Sequence, residues 1–261
     1  MIDRKKIIVF TSIMGKYNKL REIKNPDKEI TYICFTDQSF KSKTWKIIKG
    51  SSIFSNMNLN AKIHKILPHL YFNCDYSLWV DGSIEIYGDI KKLIELSFND
   101  GTDICLFKHK VRDCPYCEAN VIISSNLVDP EKIREQMNNY QKNGLKIHSG
   151  LSQGGVILRK HSKEMELFNM RWWSEICRYT KRDQLSLDYC ISKTGLNLKH
   201  FNLPKLYDDN GYFKYYGHNK NISHIITLLK ISIADGEILN ISNIIQKLKE
   251  KILKIIYQKL K

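Results

Sequence analysis

A short apolar run that ends on a carboxylate constrains this chain more than any other feature. Leu78, Trp79 and Val80 follow turn-forming residues and are succeeded directly by Asp81 and Gly82. Such a run is typical of a strand that is covered on both faces in an α/β sheet. In open α/β sheets, ligands bind beyond the carboxyl ends of the strands. We therefore expect Asp81 to project into a ligand-binding crevice.

The residues that follow Asp81 offer oxygen ligands. If the chain stays extended there, Ser83 and Glu85 lie on the same face as Asp81, because side chains along a strand alternate with a period of two. A hard divalent cation accepts carboxylate and hydroxyl oxygens, and a nucleotide diphosphate can complete its shell. Gly82 would let the backbone approach such a ligand closely. The segment indicates either a cation site at the strand end or an ordinary Asp-Gly turn.

Further apolar runs alternate with helical patterns along the chain. Strands are predicted over residues 7–12, 30–35, 45–48, 103–107 and 156–158, and helices over residues 60–72, 89–96, 162–179 and from residue 130 onward. Asp89 and Asp129 are expected N-caps, and Pro68 should bend or shorten the first helix. The alternation predicts an α/β fold with a mixed, mostly parallel sheet flanked by helices.

The charge of the chain favours anionic partners. Its 261 residues carry a formal net charge of +15, while hydrophobic and charged fractions of 43% and 26% are those of a soluble globular protein. We do not expect nucleic-acid binding, because no basic motif rich in aromatic residues accompanies the charge. No apolar run reaches the roughly 20 residues of a membrane span, and no secretory signal is visible. A cytoplasmic location is therefore expected.

Cysteine usage points to the same compartment. The seven cysteines are an odd number spread along predicted strands and helices, which is typical of reduced thiols in the cytosol. Cys114 and Cys117 form a lone CxxC motif. Zinc binding there has weak support from the sequence, since neither a second cysteine pair nor a suitably spaced histidine pair accompanies the motif.

The composition changes after residue 222, so we expect a main domain over residues 1–222 and a basic helical tail over residues 223–261. Residues 240–261 have an amphipathic helical pattern with six lysines and a single acidic residue, Glu250. Such a helix can lie on an anionic membrane surface, here the inner face of the membrane. It can equally pack on the main domain and keep its basic face in solvent.

Motif blocks in a fixed order resemble those of a known family. They are Val9 to Ser12 with Gly15 to Tyr17, Tyr32 to Asp37, Lys65 to His69, Trp79 to Gly82, His109 with Arg112 and Glu118, Gly154 to Arg159, Arg171 to Trp173, and Lys181 to Ser186. Over about residues 5–200 the chain resembles the glycosyltransferase domain family long catalogued as domain of unknown function 616. The resemblance implies a GT-A type, Rossmann-like fold and transfer of a sugar from a nucleoside-diphosphate sugar.

The resemblance includes one departure that bears on metal binding. GT-A enzymes typically carry Asp-x-Asp at the end of the central strand, whereas this chain has Asp81, Gly82 and Ser83, and a hydroxyl is a weaker cation ligand than a carboxylate. His218 resembles the C-terminal histidine that supplies a metal ligand in several GT-A families. An imidazole ligand would favour Mn²⁺ over Mg²⁺. A surface histidine in a loop is the alternative interpretation of His218.

The resemblance also implies a donor site at the strand ends. Thr11, Tyr17 and Asp37 would hold the base and ribose of the donor, for which we favour a UDP-sugar. Gly82, Gly154 and Gly155 would line the site beside Ser83.

The departing diphosphate needs preorganised cations around it. Besides a metal at Asp81, the candidates are Lys62, Lys65, Arg112 and Lys220. Lys62 and Lys65 are three positions apart and share one face of a helix, although that face could equally be solvated.

Two acidic positions are candidates for the sugar chemistry. Asp183 and Gln184 resemble the pair found near the sugar in retaining GT-A enzymes. Thr180 and Asp183 also fit a capping box, with Gly195 marking the helix end. An acid in the first helical turn is favoured in its ionised form, so Asp183 should stay charged. Glu118 is the second candidate, and a general base there would imply inversion. The stereochemistry stays open.

Trp172 and Trp173 are a candidate acceptor platform. Adjacent helical positions point about 100° apart, so we expect one ring in the core and at most one at the cleft.

Together these patterns predict a glycosyltransferase that moves a sugar to a glycan or glycolipid acceptor in cell-surface polysaccharide synthesis. The missing second aspartate leaves a non-catalytic nucleotide-sugar or glycan-binding protein as the alternative.

Overall fold

Nine strands and six helices alternate along the part of the chain that the computed structural model describes, residues 5–15, 18–50, 52–98, 100–124 and 128–216. The strands are β1 (Ile7–Ile13), β2 (Ile30–Thr36), β3 (Lys46–Lys49), β4 (Tyr76–Val80), β5 (Ile84–Ile86), β6 (Ile104–Lys108), β7 (Ser152–Lys160), β8 (Leu198–His200) and β9 (Phe213–Tyr215). The helices are α1 (Met57–Ile66), α2 (Ile90–Ser97), α3 (Pro115–Ser124), α4 (Pro130–Lys142), α5 (Lys163–Arg178) and α6 (Asp183–Thr194).

Seven of the strands form one sheet in the order β3-β2-β1-β4-β7-β6-β8. Neighbours from β3 to β4 are parallel, β7 runs antiparallel to β4 and β6, and β8 is parallel to β6. The predicted mixed, mostly parallel α/β sheet is thus confirmed. Strands β5 and β9 pair separately as an antiparallel ladder. His218, Lys220 and the predicted tail lie outside the described residues, so the domain division stays a prediction.

Both faces of the large sheet are covered, which explains its continuous apolar strands. Alternate residues of a strand enter opposite layers of the core: Phe10 and Trp79 lie in one cluster, whereas Val9 and Leu78 lie in the other. This alternation follows the period of two along a strand. Among the described helices, none combines the length and apolarity that crossing a membrane requires.

Local capping decides where the helices start. The predicted N-caps are confirmed: the side chain of Asp89 accepts from the backbone N–H of Lys92, and that of Asp129 from Glu131. The helix predicted over residues 60–72 is shorter and begins earlier, because Asn56 caps α1. Pro68 opens a separate 3₁₀ turn, since proline cannot continue the α-helical hydrogen bonds.

Two predictions about local structure are wrong. Thr180 does not cap α6; its hydroxyl donates to the side chain of Gln136 at 3.0 Å, and Arg182 occupies the N-cap position. The chain also does not stay extended after Asp81. The backbone N–H of Ile84 donates to the carbonyl of Asp81 at 2.9 Å, which closes a turn, and Ser83 becomes buried. A contact with α4 overrode the first pattern, whereas the second was decided locally by the Asp-Gly turn that the sequence also allowed.

As expected, one tryptophan of the pair lies in the core and the other is only partly buried. Trp172 is fully buried, and its indole N–H donates to the carbonyl of Asp183 at 3.0 Å. Trp173 is partly buried and packs against Phe54, with ring centroids 5.7 Å apart. Trp172 therefore fixes the start of α6 on α5 and is unavailable to an acceptor.

The end of α6 gives a test of the backbone. Gly195 has φ 68°, as predicted for a helix C-cap, and a Cβ there would meet no atom within 4 Å. We expect Gly195→Ala to lower the free energy of unfolding by about 1 kcal/mol through conformation alone, measured by urea denaturation. Gly195→Asn should cost less, because asparagine tolerates the left-handed region. Equal losses in the two variants would contradict this explanation.

Candidate functional site

Asp81 lies where the sequence predicts, directly beyond β4. Its carboxylate Oδ1 accepts a hydrogen bond from the indole N–H of Trp79 at 2.8 Å, and its backbone N–H donates to the carbonyl of Gly155 at 2.8 Å. The side chain remains 39% exposed. The carboxylate is therefore held in a defined position and still reaches solvent.

Helix α1 brings two lysines to the same place. Lys62 Nζ lies 2.5 Å from Asp183 Oδ1, and Lys65 Nζ lies 2.6 Å from Asp183 Oδ2 and 3.5 Å from Asp81 Oδ1. The expectation that the two lysines share a helix face is confirmed, but that face is not solvated, since the Lys65 side chain is only 7% exposed. Lys62, Lys65, Asp81 and Asp183 are called the charge cluster below.

Burial and ion pairing shift the pKa values of Asp183, Lys65 and Lys62 in the charge cluster. Burial alone would raise the pKa of the Asp183 carboxyl, but the Lys62 and Lys65 ammonium groups outweigh burial and hold that pKa well below its usual range. At Lys65, burial would lower the pKa of the ammonium group, but the carboxylates of Asp183 and Asp81 outweigh burial and raise that pKa. Burial lowers the pKa of Lys62 in spite of Asp183. Asp183 is thus ionised, as expected, with the ammonium groups as the cause.

The glycines of β7 leave room for the charge cluster. A Cβ at Gly154 would lie 3.3 Å from Lys65 Nζ and 3.6 Å from Asp183 Oδ2, and a Cβ at Gly155 would lie 3.6 Å from Asp81 Oδ2. Gly82 is equally confined, since its Cβ would lie 2.9 Å from a side-chain carbon of Ile13. These positions are small because charged side chains and the sheet approach them closely.

The predicted nucleotide-binding positions lie along β1 and β2. Both carboxylate oxygens of Asp37 accept from the backbone N–H of Gly15, at 2.9 and 3.0 Å, so Asp37 orders the loop after β1. The Thr11 hydroxyl is buried and has no hydrogen-bond partner among the described residues. Tyr17 lies outside the described residues. Gln184, next to Asp183, likewise has a buried side-chain N–H group without a partner in that part of the chain.

Arg112 and Glu118 form a second ion pair. Arg112 Nε lies 2.6 Å from Glu118 Oε2, and both side chains are largely buried. Tyr207 follows β8, and its ring packs edge-on against that of Tyr215, with ring centroids 4.8 Å apart. Burial raises the pKa of the Tyr207 phenol to about 12, with further contributions from the nearby charges of Asp81 and Glu118. Tyr207 was not predicted, because a single tyrosine in a late loop carries no motif.

The described residues do not by themselves assemble a metal site around Asp81. Within the described part of the chain, one group of at least three acidic, cysteine or histidine side chains has ligand atoms close together, and it does not include Asp81. Oδ1 of Asp81 is already engaged by Trp79 and Lys65. Ser83 is buried after the turn. A metal held by Asp81, Ser83 and His218 therefore stays a prediction.

Comparison with known proteins places this geometry in a family context. A family model described as TOD1/MUCI70, glycosyltransferase-like domain, matches residues 1–210. The chain is 29% identical over 180 residues to "Probable hexosyltransferase MUCI70" of Arabidopsis thaliana, covering 63% of this chain and 31% of that protein. It is 25% identical over 232 residues to "Alkaline ceramidase TOD1" of the same plant, covering 74% and 50%. The chain thus matches 31% of the length of the first relative and 50% of the length of the second.

The charge cluster predicts a specific stability effect. Asp183→Asn would leave two buried ammonium groups without their shared anion, so we expect the free energy of unfolding at neutral pH to fall by about 3–5 kcal/mol in urea denaturation. Asp188→Asn is the matched control on the same helix. Asp188 is a partly buried carboxylate that accepts hydrogen bonds from the backbone N–H and the hydroxyl of Ser152, and burial raises its pKa. Asp188→Asn should lower the free energy of unfolding by less than Asp183→Asn does.

The difference in unfolding free energy between wild type and Asp183→Asn should change with pH in one direction only. Because the pKa of Asp183 is lowered in the folded protein, its contribution is fully present above the unfolded value of about 3.9 and is lost as the pH falls further. The gap in stability between wild type and Asp183→Asn should therefore narrow progressively below about pH 4. A gap that stays constant down to pH 3 would contradict the assignment.

Proposed function

We propose that this chain, which belongs to the TOD1/MUCI70 glycosyltransferase-like domain family, transfers a sugar from a nucleoside-diphosphate sugar to a glycan or glycolipid acceptor. Likeness to a probable hexosyltransferase supports a hexose as the sugar. The observation that carries the proposal is the charge cluster, in which two ammonium groups and two carboxylates converge beyond the carboxyl end of β4 and beside the amino-terminal part of β7.

The lysines suit the leaving group of this reaction. Breaking the bond between sugar and nucleotide develops negative charge on a diphosphate, and preorganised cations in a site with little water stabilise that charge best. Lys62 and Lys65 are held by Asp183 before any substrate arrives. The donor diphosphate would share these ammonium groups with Asp183, so no large rearrangement of the lysines is needed.

Asp183 suits the other side of the reacting bond. A carboxylate that stays ionised cannot donate a proton, but it can accept hydrogen bonds from sugar hydroxyls and stabilise positive charge on an oxocarbenium-like sugar. Gln184 adds an unpartnered amide N–H beside it. Glu118, paired with Arg112, is the alternative carboxylate, and a base there would give inversion. Retention and inversion both remain compatible with this proposal.

The nucleotide would extend over the first two strands. Thr11, Tyr17 and Asp37 are the proposed contacts for the base and ribose, with UDP favoured. A divalent cation, Mn²⁺ or Mg²⁺, would neutralise further diphosphate charge when it is bound by Asp81 with Ser83 and His218, and Lys220 would assist. The described residues supply only part of that ligand set.

A second candidate function is supported by one observation. Ser83, which is buried, stands where GT-A enzymes typically carry the second aspartate of Asp-x-Asp. The alternative function is therefore a nucleotide-sugar or glycan-binding protein without catalysis. It predicts that a donor binds but is never consumed. Because the second relative is named a ceramidase, a ceramide belongs in the substrate panel.

Removing one ammonium group tests the proposal. Nucleotide sugars should be consumed slowly by the wild-type protein even without acceptor, followed as released nucleoside diphosphate. Lys65→Met should lower this rate by about 100-fold or more, because one preorganised charge on the leaving group is lost. It should also weaken binding of free UDP. Lys132→Met, on the exposed surface of α4, is the control and should leave both quantities unchanged.

Three results of that experiment would count against the proposal. Binding without consumption of any donor supports the non-catalytic alternative. Hydrolysis of ceramide with no response to nucleotide sugars supports amide chemistry. Unchanged turnover in a folded Lys65→Met protein removes the charge cluster from the mechanism. Chelation of divalent cations in a parallel assay separates the lysines' contribution from that of the proposed metal.

The basic tail is proposed to place the enzyme at its acceptor. Residues 240–261 carry six lysines and one glutamate, so their deletion should release the protein from vesicles that contain anionic lipid, measured by co-sedimentation. Binding of the full-length chain should weaken as salt is added. Equal sedimentation of the deleted and intact proteins would refute a membrane role.

A further inference from the structure

A second group of reactive side chains lies at the start of α3 and plays no part in the proposed sugar transfer. Asp113, Cys114, Cys117 and His148 each present one ligand atom, and these four atoms lie within 4.8 Å of one another. They are called the cysteine cluster below. The CxxC motif alone is ambiguous, but a histidine and an aspartate that meet it in space complete a set of four donors.

The fold brings the distant histidine to the motif. His148 lies in the segment between α4 and β7, and its Nδ1 is 2.7 Å from Asp113 Oδ1. That segment is also bonded to the main chain of residue 113, because the backbone N–H of Gly150 donates to the carbonyl of Asp113 at 2.7 Å. Tyr116 donates its hydroxyl to the carbonyl of Leu145 at 2.8 Å. The four side chains therefore belong to two segments that are already docked.

The backbone of His148 is unusual. Its φ of 56° makes it the one described residue other than glycine with a positive φ. A side chain in the left-handed region costs roughly 1 kcal/mol or more, and such residues cluster at functional sites. A glycine would adopt this conformation more readily, yet the position carries an imidazole that faces Asp113.

The chemistry of the donors selects the ligand. We propose that the cysteine cluster binds one Zn²⁺ ion in a structural site with four protein ligands: two thiolates, one imidazole and one carboxylate. Zinc takes tetrahedral sets of sulfur, nitrogen and oxygen donors, whereas Mg²⁺ and Ca²⁺ prefer oxygen alone. Four protein ligands leave no open position, as is typical of a structural site rather than a catalytic one.

The distances are compatible with metal entry. Around Zn²⁺, with a Zn–S bond of about 2.3 Å, two sulfurs lie about 3.8 Å apart. In the protein the Cys114 and Cys117 sulfurs are 2.9 Å apart, so they need to separate by about 1 Å. Asp113 and His148 are more than half exposed, which gives an ion an entry path from solvent. A disulfide would also require the sulfurs to move, to about 2.05 Å, and it would use neither Asp113 nor His148.

The consequence of zinc binding would reach the candidate active site. Arg112 immediately precedes Asp113, and its partner Glu118 immediately follows Cys117. A metal that joins Asp113, both cysteines and His148 would fix the turn between β6 and α3. We therefore expect zinc to order the Arg112–Glu118 pair, whatever reaction that pair serves.

Metal content and cobalt absorption test this site without any assay of activity. The full-length protein, purified under reducing conditions without chelator, should carry about one zinc per chain by mass spectrometry of the metal. After the zinc is removed, Co²⁺ should produce the intense visible bands of a tetrahedral ion and a thiolate-to-cobalt charge-transfer band. Cys117→Ser should weaken Co²⁺ binding at least tenfold. Cys177→Ser, at an exposed cysteine of α5, is the matched control and should leave binding unchanged.

A second variant separates a metal ligand from a structural residue. His148→Gly relieves the positive φ, so the metal-free variant should unfold at the same temperature as the metal-free wild type or at a higher one. Only the wild type should gain a higher unfolding temperature on addition of Zn²⁺. Lower stability of the metal-free variant together with unchanged cobalt absorption would overturn the proposal.

Two further outcomes would also overturn the zinc site. One is a full-length protein whose cysteines titrate as free thiols and whose spectrum does not change with Co²⁺. The other is a protein lighter by the mass of two hydrogen atoms, with a Cys114–Cys117 disulfide that persists under mild reduction. Each of these results is obtained from metal content, absorption, thiol titration or mass and not from donor turnover, so this proposal and the proposed function can fail independently.

Discussion

Burying two ammonium groups side by side is costly unless anions accompany them, and the surroundings of Lys62 and Lys65 follow from that constraint. Asp183 lies between the two groups, Asp81 lies beyond Lys65, and Trp79 fixes Asp81 in turn. In β7, a Cβ at Gly154 would lie 3.3 Å from Lys65 Nζ, and a Cβ at Gly155 would lie 3.1 Å from a side-chain carbon of Leu206, so both positions have little room for a side chain. The need to neutralise two ammonium groups therefore determines how α1, β4 and α6 are placed relative to one another.

The sequence predicts those parts of the site that depend on local periodicity. Periods of two and 3.6 residues predict the end of β4 at Asp81, the common face of Lys62 and Lys65, and the burial of one tryptophan of the pair at 172 and 173. The N-caps at Asp89 and Asp129 follow from residue type at a helix start. The alternation of strand and helix patterns predicted the α/β architecture, and the motif resemblance added the GT-A type.

Other parts depend on contacts between distant segments, which periodicity does not report. Thr180 fits a capping box in sequence, but Gln136 from α4 takes its hydroxyl. Ser83 alternates correctly with Asp81 in an extended chain, but a turn intervenes. His148 is 35 positions from Asp113, so no local motif could join it to the CxxC pair. For Thr180 and His148 the deciding partner lies on a distant segment, whereas the turn after Asp81 is closed locally by Ile84.

The small ladder of β5 and β9 has a consequence for where this domain ends. The family match stops at residue 210, yet Phe213 of β9 is completely enclosed and its ring centroid lies 6.0 Å from that of Phe107 in the large sheet. A fragment cut at the border of the family would strip a neighbour from β5, the strand that follows Asp81, and leave its hydrogen-bonding edge bare. Such an edge invites pairing with other chains. The folded unit thus extends beyond residue 210, where the family match ends, and includes β9.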